Sequence, residues 1–240
     1  MLNFKIIASL IFIFSTVLSF SQEQKESPFN VGADLMSRYV WRGTDYGTSP
    51  SIQPTLEYNK KGFVIGTWGA FTTNIPGNQE VDIYMNYTFL KEMVTVYVTD
   101  YFVADELSKK NNYFEYNDTL TGHIYEVTIS FNGTEKLPVS LLIASNIYGA
   151  DARKTDGSIQ YSSYAEINYA FKHLNVFAGF NIVQPNRKLG ETGFYGDYVG
   201  FVNIGCEASK EIKITDNYSL PLSVSFITNP QSEKVFLVVG

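Results

Sequence analysis

The sequence predicts an all-β chain: a transmembrane, antiparallel up-and-down β-barrel of about twelve strands, preceded by a cleavable signal peptide. Three observations predict it. From about residue 29 to residue 240, segments of roughly ten residues alternate apolar with polar side chains, and a period of two means a strand. Roughly 9–11 residues is what a tilted strand needs to cross a bilayer. A secretion signal stands in front of the pattern.

In that signal, Lys5 supplies the positive charge, Ile6 to Phe20 is an uncharged apolar run, and Ser19-Phe20-Ser21 is a small-x-small cleavage site. The domain reading is therefore a signal peptide at 1–21, a polar leader at 22–28 and one barrel at 29–240. The run is short for an anchoring helix. No later segment reaches the roughly 18 apolar residues that a membrane helix requires.

Composition agrees. Aromatic residues make up 15% and hydrophobic residues 45% of the chain, yet mean hydropathy is only −0.07. A barrel with one wet and one greasy face produces that contrast. The single cysteine, Cys206, can form no internal disulfide, so stability must come from sheet closure or burial. The formal charge of −6 becomes about −7 without Lys5, which argues against a nucleic-acid footprint.

Twelve strands are expected at about 29–42, 51–59, 63–72, 80–90, 94–102, 122–131, 138–148, 161–171, 175–184, 196–209, 217–228 and 234–240. In the first, Val31, Ala33, Leu35, Tyr39 and Trp41 share one face, while Asn30, Asp34, Arg38 and Arg42 share the other. In the fourth, Val81, Ile83, Met85, Tyr87 and Phe89 face lipid; Glu80, Asp82, Tyr84, Asn86 and Thr88 face inward. In 196–209, Val202, Ile204, Cys206 and Ala208 oppose Asn203, Gly205, Glu207 and Ser209. Strands 63–72 and 94–102 have apolar residues on both faces. Trp41, Tyr58, Trp68, Tyr87, Tyr101, Tyr148, Tyr169 and Phe171 fall near strand ends, where aromatic girdles lie.

Short connections (59–62, 90–92, 132–136, 172–174 and a longer one near 210–216) alternate with long ones (43–50, 73–79, 103–121, 149–160 and 185–195). Outer-membrane barrels put short turns on the periplasmic side and long loops outside. The last strand offers about seven residues and ends on Gly rather than on an aromatic residue, so the natural chain is expected to run a few residues further. Twelve strands about 4.7 Å apart and tilted near 40° make a cylinder roughly 24 Å across. That permits a narrow pore or a plugged interior.

The expected pore-lining residues are Asp34, Arg38, Arg42, Glu57, Asp82, Glu126, Glu166 and Glu207, charges that would be costly against lipid. They serve either as a bracing network or as a selectivity lining; acids outnumber bases, which leans toward cations. His123 reads as a rim residue and His173 as a turn residue. A barrel phospholipase would carry Ser two residues after its His, where this chain has Tyr125, so no nucleophile–base pair is supplied. Asp105, Glu106, Glu115 and Asp118 make the loop 103–121 acidic without the spacing of a calcium loop. No catalytic residue, metal site or cofactor is expected.

The segment Ser37-Arg38-Tyr39-Val40-Trp41-Arg42-Gly43, then Ser49-Pro50 and Gln53, resembles the TorF family of Gram-negative outer-membrane porins. Glu80-Val81-Asp82, Gly122-His123-Ile124-Tyr125-Glu126 and Tyr148-Gly149-Ala150-Asp151 continue the resemblance along the mature chain. It implies an outer-membrane location and passive diffusion of small ions or solutes through a polar lumen, with no catalytic residues to carry over. The expected partners are outer-membrane lipid, the barrel-insertion machinery and the solutes themselves, and no nucleic acid. The alternative is a non-conducting structural or adhesive barrel that acts through its outer loops.

Overall fold

Val, Ile, Phe and Tyr dominate the segments that alternate in polarity, and these branched and aromatic side chains fit a pleated surface. The computed structural model describes residues 27–74, 79–104 and 111–240. Its strands, in chain order, are β1 (Phe29–Met36), β2 (Val40–Trp41), β3 (Thr44–Asp45), β4 (Ser51–Lys60), β5 (Phe63–Thr72), β6 (Gln79–Phe89), β7 (Val94–Ala104), β8 (His123–Phe131), β9 (Val139–Gly149), β10 (Ser163–Ala170), β11 (Leu174–Asn181), β12 (Gly200–Thr215), β13 (Tyr218–Asn229) and β14 (Lys234–Val239). All but β2 and β3 form one twelve-stranded sheet in sequence order, each antiparallel to its neighbours. This is an up-and-down barrel, nearly closed. The predicted signal peptide and most of the leader lie outside the described residues, as do Asp105 and Glu106.

Closure rests on a short seam. The Ser37 N–H donates to the Val239 carbonyl and the Val239 N–H donates to Ser37 Oγ, both at 2.8 Å. Along the rest of β1 the ladder runs to β4 alone, from Phe29 opposite Tyr58 to Met36 opposite Ser51.

The polarity of the wall follows the strand period. Along β6, Ile83, Met85, Tyr87 and Phe89 are exposed on the outside, whereas Glu80 and Asp82 are buried inside. The two ambiguous strands resolve. Phe63, Ile65 and Phe71 of β5 point out and Trp68 points in; Val94 and Val98 of β7 lie outside, with Thr95 and Tyr101 inside. Across the barrel, Val31, Leu35, Leu56, Ile143, Ile167, Phe201, Phe226 and Leu237 complete an outer surface of exposed apolar side chains.

Three expectations about the wall are corrected. The first strand stops at Met36, not residue 42, because the chain turns into the lumen at Ser37 and pairs with itself as the β2–β3 hairpin. Tyr39 and Trp41 therefore point inward rather than toward lipid. Val202 is the extra residue of a bulge between the Gly179–Asn203 and Phe180–Phe201 pairs, and a bulge re-aims its side chain; it is fully buried inside. The connection expected near 210–216 is strand instead, since β12 and β13 pair down to Thr215 opposite Tyr218. Of the girdle candidates, Tyr87, Tyr148, Tyr169 and Phe171 are exposed on the outer surface, while Trp41, Trp68 and Tyr101 gather inside.

Candidate functional site

The lumen is occupied at its long-loop end by the segment 37–47. Arg42, at the hairpin turn, has a left-handed backbone (φ 49°), as does Gly43 (φ 78°). That reverses the chain and drives the guanidinium into the middle of the barrel. There it makes a bidentate ion pair with Glu126 of β8: Nη2 donates to Oε1 at 3.0 Å and Nη1 to Oε2. Two parallel N–H···O bonds are the strongest way to match this pair of planar groups. Glu126 also accepts from Tyr101 at 3.1 Å, Thr128 at 2.8 Å and Tyr195 at 2.9 Å. The Glu126 carboxylate is thus saturated with donors.

Aromatic faces enclose the cation. The Arg42 guanidinium carbon lies 4.3 Å from the Trp41 ring centre, 4.6 Å from Tyr164 and 5.3 Å from Tyr195. Desolvated cation–π contacts of this kind contribute about 2 kcal/mol or more. Tyr195 comes from the loop between β11 and β12, and it packs with Tyr164 and Val202 in the buried cluster. Two loops that meet around one arginine thus fill this end of the barrel.

The hairpin is pinned at further points. Arg38 pairs with Asp45 across its two arms. Asp45 also accepts the Thr48 and Gly47 N–H groups at 2.9 and 3.1 Å. Although partial burial opposes ionisation, these donors and Arg38 hold its carboxyl below the usual range. Tyr39 donates to Glu80 at 3.1 Å, and Asn229 of β13 donates to the Gly43 carbonyl at 3.1 Å. A Cβ on Gly43 would overlap the carbonyl oxygen of Val202. Glycine is what lets the hairpin sit this close to the wall.

Beside the plug lies a chamber of about 430 Å³. Its charged lining is Arg38, Arg42, Asp82, Glu166 and Glu207, and Trp41, Trp68, Tyr101 and Phe177 supply aromatic surface. Glu166 accepts from Tyr164, from Asn203 at 2.9 Å and from Asn168 at 3.1 Å, and Glu207 accepts from Ser225 at 2.8 Å. Glu57 faces the lumen outside this chamber, where it accepts from Tyr84 at 2.7 Å and Asn30 at 3.3 Å. Asp34 is exposed on β1. Five of the eight predicted pore residues therefore meet at one chamber, and Glu126 lies just behind Arg42. The sequence reading missed the aromatic half of the site. Its signal was present: the girdle candidates Trp41, Trp68 and Tyr101 fall in strands with the alternation unclear or interrupted.

His123 is a second cluster, and it faces outward. Residues 111–121 fold back over β7 and β8, and His123 is fully buried beneath them rather than sitting free at a rim. Its Nδ1 lies 2.8 Å from Asp100 and its Nε2 2.7 Å from the Tyr113 carbonyl oxygen. Tyr116 stacks on the ring, with centroids 4.9 Å apart. Both nitrogens are thus occupied.

No curated protein and no solved structure matches the chain. A family model described as a bacterial protein of unknown function, Gcw_chp, matches residues 22–180, a span that includes the hairpin, Arg42 and Glu126. The chain belongs to the Gcw_chp family.

Proposed function

We propose that this is an integral barrel of the bacterial outer membrane through which small solutes diffuse passively, with the 37–47 hairpin closing the lumen at rest. The observation that carries the reading is the inverted polarity of the wall. Val31 is 76% exposed and Leu35 71%, while Glu80, Asp82, Glu126, Asn146 and Asn203 are buried inside. Each large aliphatic side chain left in water forgoes roughly 1.5–3 kcal/mol, and soluble monomers rarely expose apolar patches beyond a few hundred Å². Hydrocarbon around the barrel removes that penalty. The resemblance of residues 37–43 to TorF-type porins supports the same role.

Planar-bilayer recording tests it. Refolded protein is expected to give rare, brief conductance steps, and Arg42→Ala to give steps that are longer and more frequent. If neither protein conducts above the lipid background, the pore reading fails.

A second reading rests on the plug and on the outer loops. Phe114 is 81% exposed and Leu120 57%, both on the segment that covers His123. A non-conducting scaffold that acts through such loops predicts that loop deletion abolishes surface attachment and that no hairpin variant ever conducts.

A further inference from the structure

The chamber beside the plug has unmatched chemistry. Its two bases are committed, Arg38 to Asp45 and Arg42 to Glu126. Among the described residues, none of its three acids, Asp82, Glu166 and Glu207, forms an ion pair. Two buried acceptors also stand without donors. Asp82 is 5% exposed and its Oδ1 has no hydrogen-bond partner. Asn203 is 7% exposed; its amide nitrogen is fixed by donation to Tyr164 at 3.1 Å and Glu166 at 2.9 Å, which leaves Oδ1 unpaired. A buried acceptor without a donor is costly, more so when charged.

We infer that the chamber binds small organic cations that carry N–H donors, such as alkylammonium compounds. This rests on the lumenal reading above and names its solute class. Glu166 and Glu207 supply carboxylates with no paired cation, which favours positive charge, and the orphan acceptors demand N–H groups. The faces of Trp68, Tyr101 and Phe177 suit an ammonium and its hydrocarbon stem. A metal ion fits less well. The acids stand on three separated strands, β6, β10 and β12, and no group of three or more metal-ligating side chains occurs among the described residues. The volume of about 430 Å³ falls within the range of small-molecule sites.

The chain's two tryptophans, Trp41 and Trp68, both line this chamber, so its tryptophan emission reports on occupancy. Refolded full-length protein in detergent micelles would be titrated with 1,4-diaminobutane, 1,4-butanediol and succinate, three probes of equal chain length and different charge. Only the diammonium is expected to give a saturable emission change with matching heat in calorimetry, and added salt is expected to weaken it. Asp82→Asn and Glu207→Gln should each lower its affinity about tenfold, the scale of one lost charge-assisted contact. Glu233→Gln, on an exposed turn, should leave it unchanged. Glu207, half-buried with one side-chain donor, provides a variant that spares the buried core. Equal responses to all three probes, no saturable response, or charge variants of undiminished affinity would overturn the inference. Binding without conductance would defeat the pore reading alone. Conductance without binding would defeat this inference alone.

Discussion

Arg42 and Glu126 stand 84 positions apart in the sequence and meet in the lumen as a donor-saturated ion pair. The pair joins the turn of the inner hairpin to the barrel wall. Removing one partner strands the other charge in a buried, aromatic setting, which typically costs about 3–5 kcal/mol. Arg42→Met and Glu126→Gln should each lower urea stability by that order. The double variant Arg42→Met with Glu126→Met should recover much of the loss, since apolar replacement of a buried pair is often near neutral. Urea titrations of the vesicle-inserted protein measure all three. A double-variant loss equal to the sum of the two single losses would mean that the pair does not act as a unit.

Gly43 tests how closely the plug must approach the wall. Gly43→Ala combines a left-handed backbone with overlap of the Val202 carbonyl, whereas Gly157→Ala meets a similar backbone (φ 84°) in open space. The second should cost about 1 kcal/mol through backbone strain alone. The first should cost more and displace Trp41, with red-shifted emission and longer open times in bilayer recordings. Matching effects from the two variants would show that the hairpin has room to spare.

Much of this architecture is legible in the residues. Alternation in β6 separates Ile83, Met85 and Tyr87 from Asp82, Tyr84 and Asn86 without ambiguity, and Lys61-Gly62 marks a tight turn with two positive φ values. The hairpin was hidden because its arms are themselves strands. The period of two carries from Asn30 to Leu35 and resumes through Arg38, Tyr39, Trp41 and Arg42, with only Met36, Ser37 and Val40 out of phase, and Gly43 and Gly47 add a hint that the chain reverses. Val202 was hidden for another reason. A bulge adds one residue without changing composition, and every later assignment on the strand still alternates. The aromatic residues around Arg42 misled because Trp and Tyr suit a membrane interface and a cation equally well. Sequence position alone does not separate those two uses; the distant Glu126 does.

The outward face supplies a test of membrane residence itself. Met85 and Asn86 are adjacent on β6 and point to opposite sides of one wall. Met85→Arg should cost about 2–4 kcal/mol if that position lies near the bilayer midplane. Asn86→Arg, directed into the polar lumen, should cost far less. Folding into lipid vesicles, followed by heat-modifiable gel migration and urea titration, compares them. Equal tolerance of both arginines would count against hydrocarbon on the outer surface.

The loop that delivers Tyr195 to the lumen is itself held by a titratable clasp. Glu191 accepts the Asn186 N–H at 2.7 Å, the Thr155 N–H at 2.9 Å and the Thr155 hydroxyl at 3.0 Å. These donors, the Asn186 amide foremost, hold its carboxyl below the usual range. A carboxyl whose folded value is lowered contributes stability above its unfolded value, and that contribution is lost as pH falls through the folded one. The loop 182–199 should therefore keep constant protection from neutral pH down to the ordinary glutamate range, then loosen below it. Limited proteolysis with an acid-active protease, or hydrogen exchange across the same pH steps, reads that transition. Glu191→Gln should remove the pH dependence while leaving the barrel folded. Because Tyr195 bonds to Glu126 at the far end of this loop, acid loosening should also lengthen channel openings in the wild type and not in the variant. A wild-type loop indifferent to pH would show that the clasp contributes nothing to the plug.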